Sequence, residues 1–380
     1  MMQEFYRPTW AEIDLNAIRY NVTQMRKRLE GDTEVMAVVK ANGYGHGARE
    51  VAEAAIEAGA TSLGVALLEE AIILRKAGMT VPILVFGWVS AEDAPIAAAF
   101  DITITFFQEA WLEEASKLSY KQPLKLHMKW DTGMGRIGIR TNEELVSLLD
   151  VFKRVSERKD FQLTGVFTHF ATADEMDLDY FRKQYSRFES MLHTFSDHWR
   201  KQVAVHIGNS AAAIRFPGKM RKFVRFGISL YGLYPSKTVR NEQEIDLKPA
   251  FTLKTRLTHV KRISPNESVS YGATYTTTDN EWIGTIPIGY ADGWIRKLQG
   301  MDVLIDGKRM PIVGRICMDQ TMIELDRSYR VGTHVTLIGK QGDDMIEMDE
   351  VADYLDTINY EIPCTITNRV PRVYKGCSQQ

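Results

Sequence analysis

The chain has 380 residues, 44% hydrophobic and 25% charged, the balance of an ordinary globular protein of about two or three domains. Its 47 basic and 49 acidic residues leave a formal net charge of −2, which argues against nucleic acid or an acidic membrane surface as a general partner. No apolar run approaches the ~20 residues of a membrane span, the N-terminus lacks an apolar leader, and Cys317, Cys364 and Cys377 form neither a disulfide framework nor a metal-binding pattern, so a cytoplasmic location and no metal are expected.

Short apolar runs alternate with amphipathic stretches from about residue 34 to 235. Strands are expected at Val35–Val39, Ser62–Ala66, Pro82–Phe86, Ile102–Thr105, Leu124–Lys129, Leu163–Thr168, Val203–His206 and Phe223–Ile228. Between them lie segments of helical spacing, among them Ala48–Ala58, Leu68–Ala77, Glu143–Ser156 and Leu178–Phe195. Such alternation implies parallel strands joined by crossover helices, and eight units close into a (β/α)8 TIM barrel. A doubly wound open sheet is the competing fold, weakened by the absence of GxGxxG after the first strand. The barrel is expected to occupy residues 10–240. After a polar connection, Lys237–Lys248, the period drops toward two, which predicts a mainly β domain over 241–380. Its expected pieces are one long strand Phe251–Ile263, then Trp282–Ile288, a hairpin turning at Asp306-Gly307, Met322–Leu325 and His334–Ile338, with a short helix at Met348–Leu355. Thr9–Asn16 alternates like a strand, so residues 1–15 can pack with this second domain; residues 376–380 are expected to be disordered.

A barrel carries its chemistry at the C-terminal ends of its strands. Lys40 stands at the end of the first strand, where an apolar run meets the glycine-rich turn Ala41–Gly47; desolvation there favours the neutral, nucleophilic amine. Lys129 ends the fifth strand, before Asp131-Thr132-Gly133-Met134-Gly135-Arg136. His169 ends the sixth, Gly208-Asn209-Ser210 follows the seventh, and Arg225 lies in the eighth ahead of Gly227-Ile228-Ser229. Free N–H groups at a helix start bind phosphate. Phosphate at the last strands and an amine at the first together point to pyridoxal phosphate on a lysine. Each residue also has an ordinary reading: a helix cap for Asn209 and Ser210, an ion pair for Arg225, a packed core for His169. Their convergence on one barrel mouth is what argues for function.

These residues carry a resemblance to the alanine racemase family, fold-type III pyridoxal-phosphate enzymes, over nearly the whole length. The matching blocks are Ala37–Gly47, Asp131–Gly138, Thr168–Ala171, Asn209–Ala211, Arg225–Gly232, Ser270–Tyr275, Ile288–Gly293 and Gly314–Asp319. The resemblance implies that Lys40 holds pyridoxal 5'-phosphate and is one of two proton-transfer groups, and that Tyr271 is the other, supplied by the partner subunit of a homodimer with shared active sites. Without that resemblance Tyr271 reads as a packed strand aromatic. By resemblance, Arg225 faces the pyridine nitrogen and His169 lies near the ring, while Tyr44, Ser210, Gly227, Ile228 and Tyr360 bind phosphate beside Asn209. Arg136 and Met318 approach the substrate carboxylate, and Lys129 matches a position that is carbamylated in some members. Asp174, Tyr290, Arg296 and Arg315 match the substrate entrance. The implied activity is the interconversion of L- and D-alanine for peptidoglycan synthesis. The competing readings are a racemase of serine or a basic amino acid, a cofactor-binding protein without turnover, a fold-type III decarboxylase and a Schiff-base aldolase.

Overall fold

The computed structural model describes residues 5–377 and divides into two compact units, Ala17–Gly43 with Ala48–Lys248, and the N-terminal segment to Asn16 with Tyr44–Gly47 and the chain from Pro249 onward. The expectation for residues 1–15 falls partly outside the described residues, at 1–4, and that for the C-terminal tail likewise, at 378–380.

The first strand, β1 (Thr9–Asp14), belongs to the second unit. The barrel strands are β2 (Glu34–Val38), β3 (Ser62–Val65), β4 (Ile83–Val85), β5 (Thr103–Phe106), β6 (Leu124–Lys129), β7 (Phe161–Phe167), β8 (Ala204–His206) and β9 (Phe223–Phe226). Each pairs in parallel with its sequence neighbour from β2 to β8, and β9 returns to pair with β2. Between β8 and β9 the ring is joined by the isolated bridge Gly208↔Val224 and by backbone hydrogen bonds from Lys222 N to Val205 O at 2.9 Å and Arg225 N to Gly208 O at 3.0 Å, so the barrel is nearly closed. Every residue of β3, β4 and β5 is buried, as strands covered on both faces must be. The helix Asn142–Ser156 shows how the outer layer is set. Thr141 Oγ1 accepts from the Glu144 amide at 3.2 Å and the Glu144 carboxylate accepts from the Thr141 amide at 3.3 Å, a reciprocal cap. Leu145, Leu148, Leu149, Phe152 and Val155 then share the buried face.

In the second unit the long strand expected over Phe251–Ile263 is two strands, β10 (Phe251–Arg256) and β11 (His259–Ile263), in different sheets. Leu257 and Thr258 make the corner, pairing with Thr333 and Thr285 in the two sheets. Then come β12 (Ser268–Val269), β13 (Tyr275–Thr276), β14 (Glu281–Ile286), β15 (Asp302–Ile305), β16 (Lys308–Pro311), β17 (Thr321–Leu325), β18 (His334–Gln341), β19 (Asp344–Ile346) and β20 (Arg372–Lys375). The main sheet runs β16-β15-β18-β10-β1-β20, with β19 on β18, and a smaller sheet runs β11-β14-β17. The β15–β16 turn has Asp306 at φ 48° and Gly307 at φ 75°, the paired positive φ of a two-residue hairpin. Ile263, Val269, Ile283, Val313 and Met322 form a small core beneath the β12–β13 hairpin.

Candidate active site

In the barrel unit, β2 ends at Val38 and Lys40 opens a turn of unusual hand. Ala41, Asn42 and Gly43 have φ of 52°, 53° and 62°, with ψ between 45° and 49°. Glycine adopts this region freely and asparagine tolerates it, so Ala41 here, and Tyr44 just beyond at φ 49°, carry backbone strain. Strain of this kind gathers at functional positions.

Behind the lysine lies a buried cationic centre. Arg225 is 4% exposed and Lys129 3%. The Arg225 terminal nitrogens donate to His206 Nδ1 at 3.0 Å, His169 Nδ1 at 3.1 Å and the Thr168 carbonyl at 2.7 Å. Both are also within hydrogen-bond distance of backbone oxygens, His206 O and Ile207 O. Nε is the guanidinium N–H without a protein acceptor, and no carboxylate among the described residues pairs with Arg225. Burial pushes this guanidinium down to about 9, with Arg136 adding to the effect, and it stays cationic at neutral pH. Its donation fixes its neighbours. His206 accepts at Nδ1, so its proton sits on Nε2 and is donated to His127 Nδ1 at 3.0 Å. His206 also stacks on Phe167, with centroids 4.8 Å apart.

Burial holds His169 and His206 well below the usual histidine range, reinforced by the charge of Arg225 and, to a lesser extent, of Lys129. Arg136 and Lys40 also lower His169, which puts all four basic side chains in electrostatic reach of one imidazole. Burial alone pushes His127 down to about 3. The three histidines are therefore neutral in the folded protein near pH 7. Unfolded histidine titrates near ~6.5, so below that pH the unfolded chain binds more protons and the folded state loses stability. With three such groups the loss approaches about 4 kcal/mol per pH unit as pH falls below ~6. Urea titrations of the protein are expected to show stability flat in pH above 7 from this source and falling steeply on acidification; an acid limb unchanged by His127→Asn would contradict the assignment for that residue.

Lys129 is the second unusual amine. Its ammonium is disfavoured first by burial, then by Arg225 and Arg136, with only Asp131 opposing. Asp131 is occupied in shaping the loop that carries Arg136. Its Oδ1 accepts from the Gly133 amide at 3.1 Å and the Gly135 amide at 2.9 Å. A side chain at Gly138 would meet the Asp131 nitrogen at 2.7 Å, so this tight return needs glycine. Arg136 itself is exposed, and Asp174 is partly buried, its carboxyl pushed upward by that burial. Asn209 does cap the helix Ser210–Arg215, accepting from the Ala212 amide at 2.9 Å, as its ordinary reading requires. Ser210 Oγ accepts from the Gly227 amide at 3.0 Å, which joins the two turns expected to meet a phosphate. Ile228 opens the next turn, in which Ser229 Oγ is a buried hydroxyl without a hydrogen-bond partner among the described residues.

The second unit holds the remaining candidates. Tyr271 is 70% exposed, not packed in a core. It sits on a turn flanked by Ser270 at φ 69° and Gly272 at φ 73°. That turn is held down by Ser270 Oγ donating to the Arg315 carbonyl at 2.5 Å and by Gly314, where a side chain would meet Val269 O at 2.7 Å. Tyr271, Tyr290, Ile295, Arg296 and Ile316 line a cleft of about 570 Å³. Tyr290 and Met318 belong to one backbone unit, through Tyr290 N to Cys317 O at 3.1 Å and Ala291 N to Met318 O at 3.0 Å. Tyr44 is buried, and burial pushes its phenol upward; its ring centroid lies 6.3 Å from that of Tyr360. Sequence reasoning did not single out His127 or Glu70. His127 stands between Lys125 and Lys129 at the polar positions of the alternating strand Leu124–Lys129, where the pattern gives no reason to choose it, and Glu70 looks like any acid in a first helical turn.

A parallel barrel with a lysine on a strained strand-end turn and a buried arginine between neutral histidines, in one chain with a β unit presenting an exposed tyrosine, has the build of a barrel enzyme. The alanine racemase N-terminal domain model matches residues 13–235 and the C-terminal domain model residues 250–374. The chain belongs to the alanine racemase family, a family of amino-acid isomerases. It is 53% identical over 374 residues to alanine racemase of Geobacillus stearothermophilus, covering 98% of this chain and 95% of the relative. Among solved structures, alanine racemase from Bacillus anthracis with bound L-Ala-P is 48% identical with a TM-score of 0.94, covering 98% of this chain and 96% of that one. Histidine racemase from Leuconostoc mesenteroides is 32% identical with a TM-score of 0.90, covering 98% and 99%.

Proposed function

We propose that this chain interconverts L- and D-alanine with pyridoxal 5'-phosphate, using Lys40 and Tyr271 as proton-transfer groups on opposite faces of the substrate Cα. The observation that carries the reading is Arg225, a buried cation with one uncommitted N–H and no carboxylate partner. It fits a ring nitrogen as acceptor, and the partnerless Ser229 hydroxyl, the Ser210–Gly227 pair and the helix start at Ser210 fit an anion close by. When bound, pyridoxal phosphate draws electron density from the substrate's Cα–H bond. Arg225 would face the ring nitrogen and, staying protonated, would leave that nitrogen without a proton, which would limit the withdrawal and suit brief proton removal better than decarboxylation. Lys40 holds the cofactor and moves a proton at one face, and Tyr271 moves a proton at the other. Tyr44, Ser210, Asn209, Gly227, Ile228 and Tyr360 bind or brace the phosphate, and His169 supports the ring. Arg136 and Met318 orient the substrate carboxylate. Asp174, Tyr290, Arg296 and Arg315 line the entrance, and the cleft at Tyr271 and Tyr290 restricts side-chain size.

The working form is a homodimer in which Tyr271 serves the partner's site; its 70% exposure in one chain agrees with burial against a second copy. The setting is the cytoplasm and the product D-alanine feeds peptidoglycan; among the described residues no helix is long and apolar enough to cross a membrane. Purified protein supplied with pyridoxal phosphate is expected to turn yellow, to bleach with borohydride and to racemise alanine with a kcat/KM above those for serine and histidine. A colourless protein, a preference for histidine, or release of labelled CO2 would each count against the proposal.

Lys129 is the carbamylation site in this reading. A neutral amine adds CO2 to form an N–C bond and releases a proton, and the resulting anion faces Arg136 in place of a repelling ammonium. NMR of protein equilibrated with isotope-labelled bicarbonate is expected to show a carbamate carbon that Lys129→Ala abolishes. The same spectrum with and without Lys129, or a protein mass indicating the bare amine in unexchanged buffer, would defeat it.

A further inference from the structure

The left-handed turn after Lys40 is held by a residue from the helix that follows another strand. An L-residue in the left-handed region is disfavoured because its Cβ crowds the following carbonyl oxygen. Gly43 escapes that cost and Asn42 tolerates it, with Asn42 Oδ1 also accepting from the Ala48 amide at 3.0 Å. Ala41 has neither excuse, yet lies at φ 52° and ψ 49° directly after the lysine. Its amide donates to Glu70 Oε1 at 2.6 Å. The other oxygen of the same carboxylate, Oε2, accepts from the Ala66 amide at 2.9 Å and the Leu67 amide at 3.2 Å. Glu70 is the third residue of the helix Leu68–Lys76 that follows β3. One carboxylate therefore clips the rim beyond β2 to the rim beyond β3, and it grips the strained peptide next to Lys40.

We propose that Glu70 is the positioning residue for Lys40. It offsets the cost of the left-handed Ala41 and so sets the direction in which the lysine leaves the strand end. Without the clip Ala41 relaxes toward the right-handed region, the Lys40–Ala41 peptide plane turns, and the amine loses its aim. The role of Lys40 as proton-transfer group rests on the function proposed above, whereas the clip itself does not.

The test uses full-length Glu70→Ala, Glu70→Gln, Glu70→Asp and the double variant Glu70→Ala/Ala41→Gly. A hydrogen bond to a charged group is worth about tenfold to a hundredfold. Glu70→Ala is expected to lower kcat by about that factor in both directions with KM changed less than about twofold, and to accelerate amide exchange at Ala41 by at least about tenfold in cofactor-free protein. Glu70→Gln keeps only one of the two accepting oxygens and turns an NH2 donor toward the other amides, so it is expected to recover part of both effects. Glycine at position 41 adopts the turn without cost, so the double variant is expected to recover part of kcat. Unchanged exchange at Ala41 in Glu70→Ala overturns the proposal, as does a kcat loss that neither the glutamine nor the glycine change recovers. Should Glu70→Ala fail to fold, Glu70→Asp carries the test: it keeps the charge but falls one methylene short, and unchanged Ala41 exchange there overturns the clip equally. Alanine racemisation retained by Lys40→Ala would instead defeat the functional reading and leave the exchange result standing on its own.

Discussion

Replacing Lys40 by alanine is expected to abolish alanine racemisation, by at least ~1,000-fold, and to remove the borohydride-sensitive yellow colour together with it. General acid–base groups alone contribute about 10²–10⁴-fold, and Lys40 has the further duty of holding the cofactor. The variant should fold normally. Lys40 is only partly buried, and Glu70 and Asn42 hold the turn that follows it. Small primary amines added to Lys40→Ala are expected to restore a measurable part of the rate, because they replace the missing amine without its tether. A Lys40→Ala protein that remained yellow and active would mean that another amine carries the chemistry. Lys129, already disfavoured as an ammonium by burial, would be the first suspect.

Tyr271→Phe is the second large effect. It removes a hydroxyl from a side chain that is 70% exposed within its own chain, so folding stability should change by less than about 0.5 kcal/mol. Racemisation in both directions is expected to fall by about 10²–10⁴-fold, since either direction needs both faces served. Exchange of the α-hydrogen of one enantiomer with solvent should persist through Lys40, while exchange of the other is lost. Isotope incorporation into each enantiomer separately reads this directly. Equal loss of exchange for both enantiomers, or equal retention, would break the division of labour between the two residues.

The sequence carried more of the barrel than of the site. Its eight strands were legible because strands such as Ile83–Val85 are short apolar runs between helical segments, and the alternating β6 matches its expected bounds residue for residue. Lys40 could be placed because an apolar run ends in a cation beside a glycine-rich turn. The hand of that turn could not, since nothing in Ala41-Asn42-Gly43 compels three consecutive left-handed residues; the grip of Glu70, 29 positions along the chain from Ala41, is a tertiary fact. The strand expected over Phe251–Ile263 is divided because Leu257 and Thr258 bond to separate sheets, and a β-rich composition does not register such a corner. Asn209 shows how ordinary and functional readings coexist: it caps a helix, and the helix it caps begins at Ser210. Tyr271 was the residue least readable from pattern. An aromatic within Ser270–Tyr275 looks like core filling, and its exposure follows from a turn held by Ser270 and Gly314, whose roles depend on neighbours distant in the sequence.

The two-base claim at the centre of the account is tested most directly by following the α-hydrogen during the first turnovers. Protein loaded with pyridoxal phosphate and equilibrated in D2O is given protiated L-alanine, and the isotope at Cα of the newly formed D-alanine is measured by mass spectrometry, with the converse reaction run from D-alanine. If Lys40 and Tyr271 serve opposite faces, the product enantiomer carries deuterium from the earliest point in both directions. Product that retained the hydrogen of its own substrate would show that one group carries it from face to face, and would contradict the assignment of a separate base to each side.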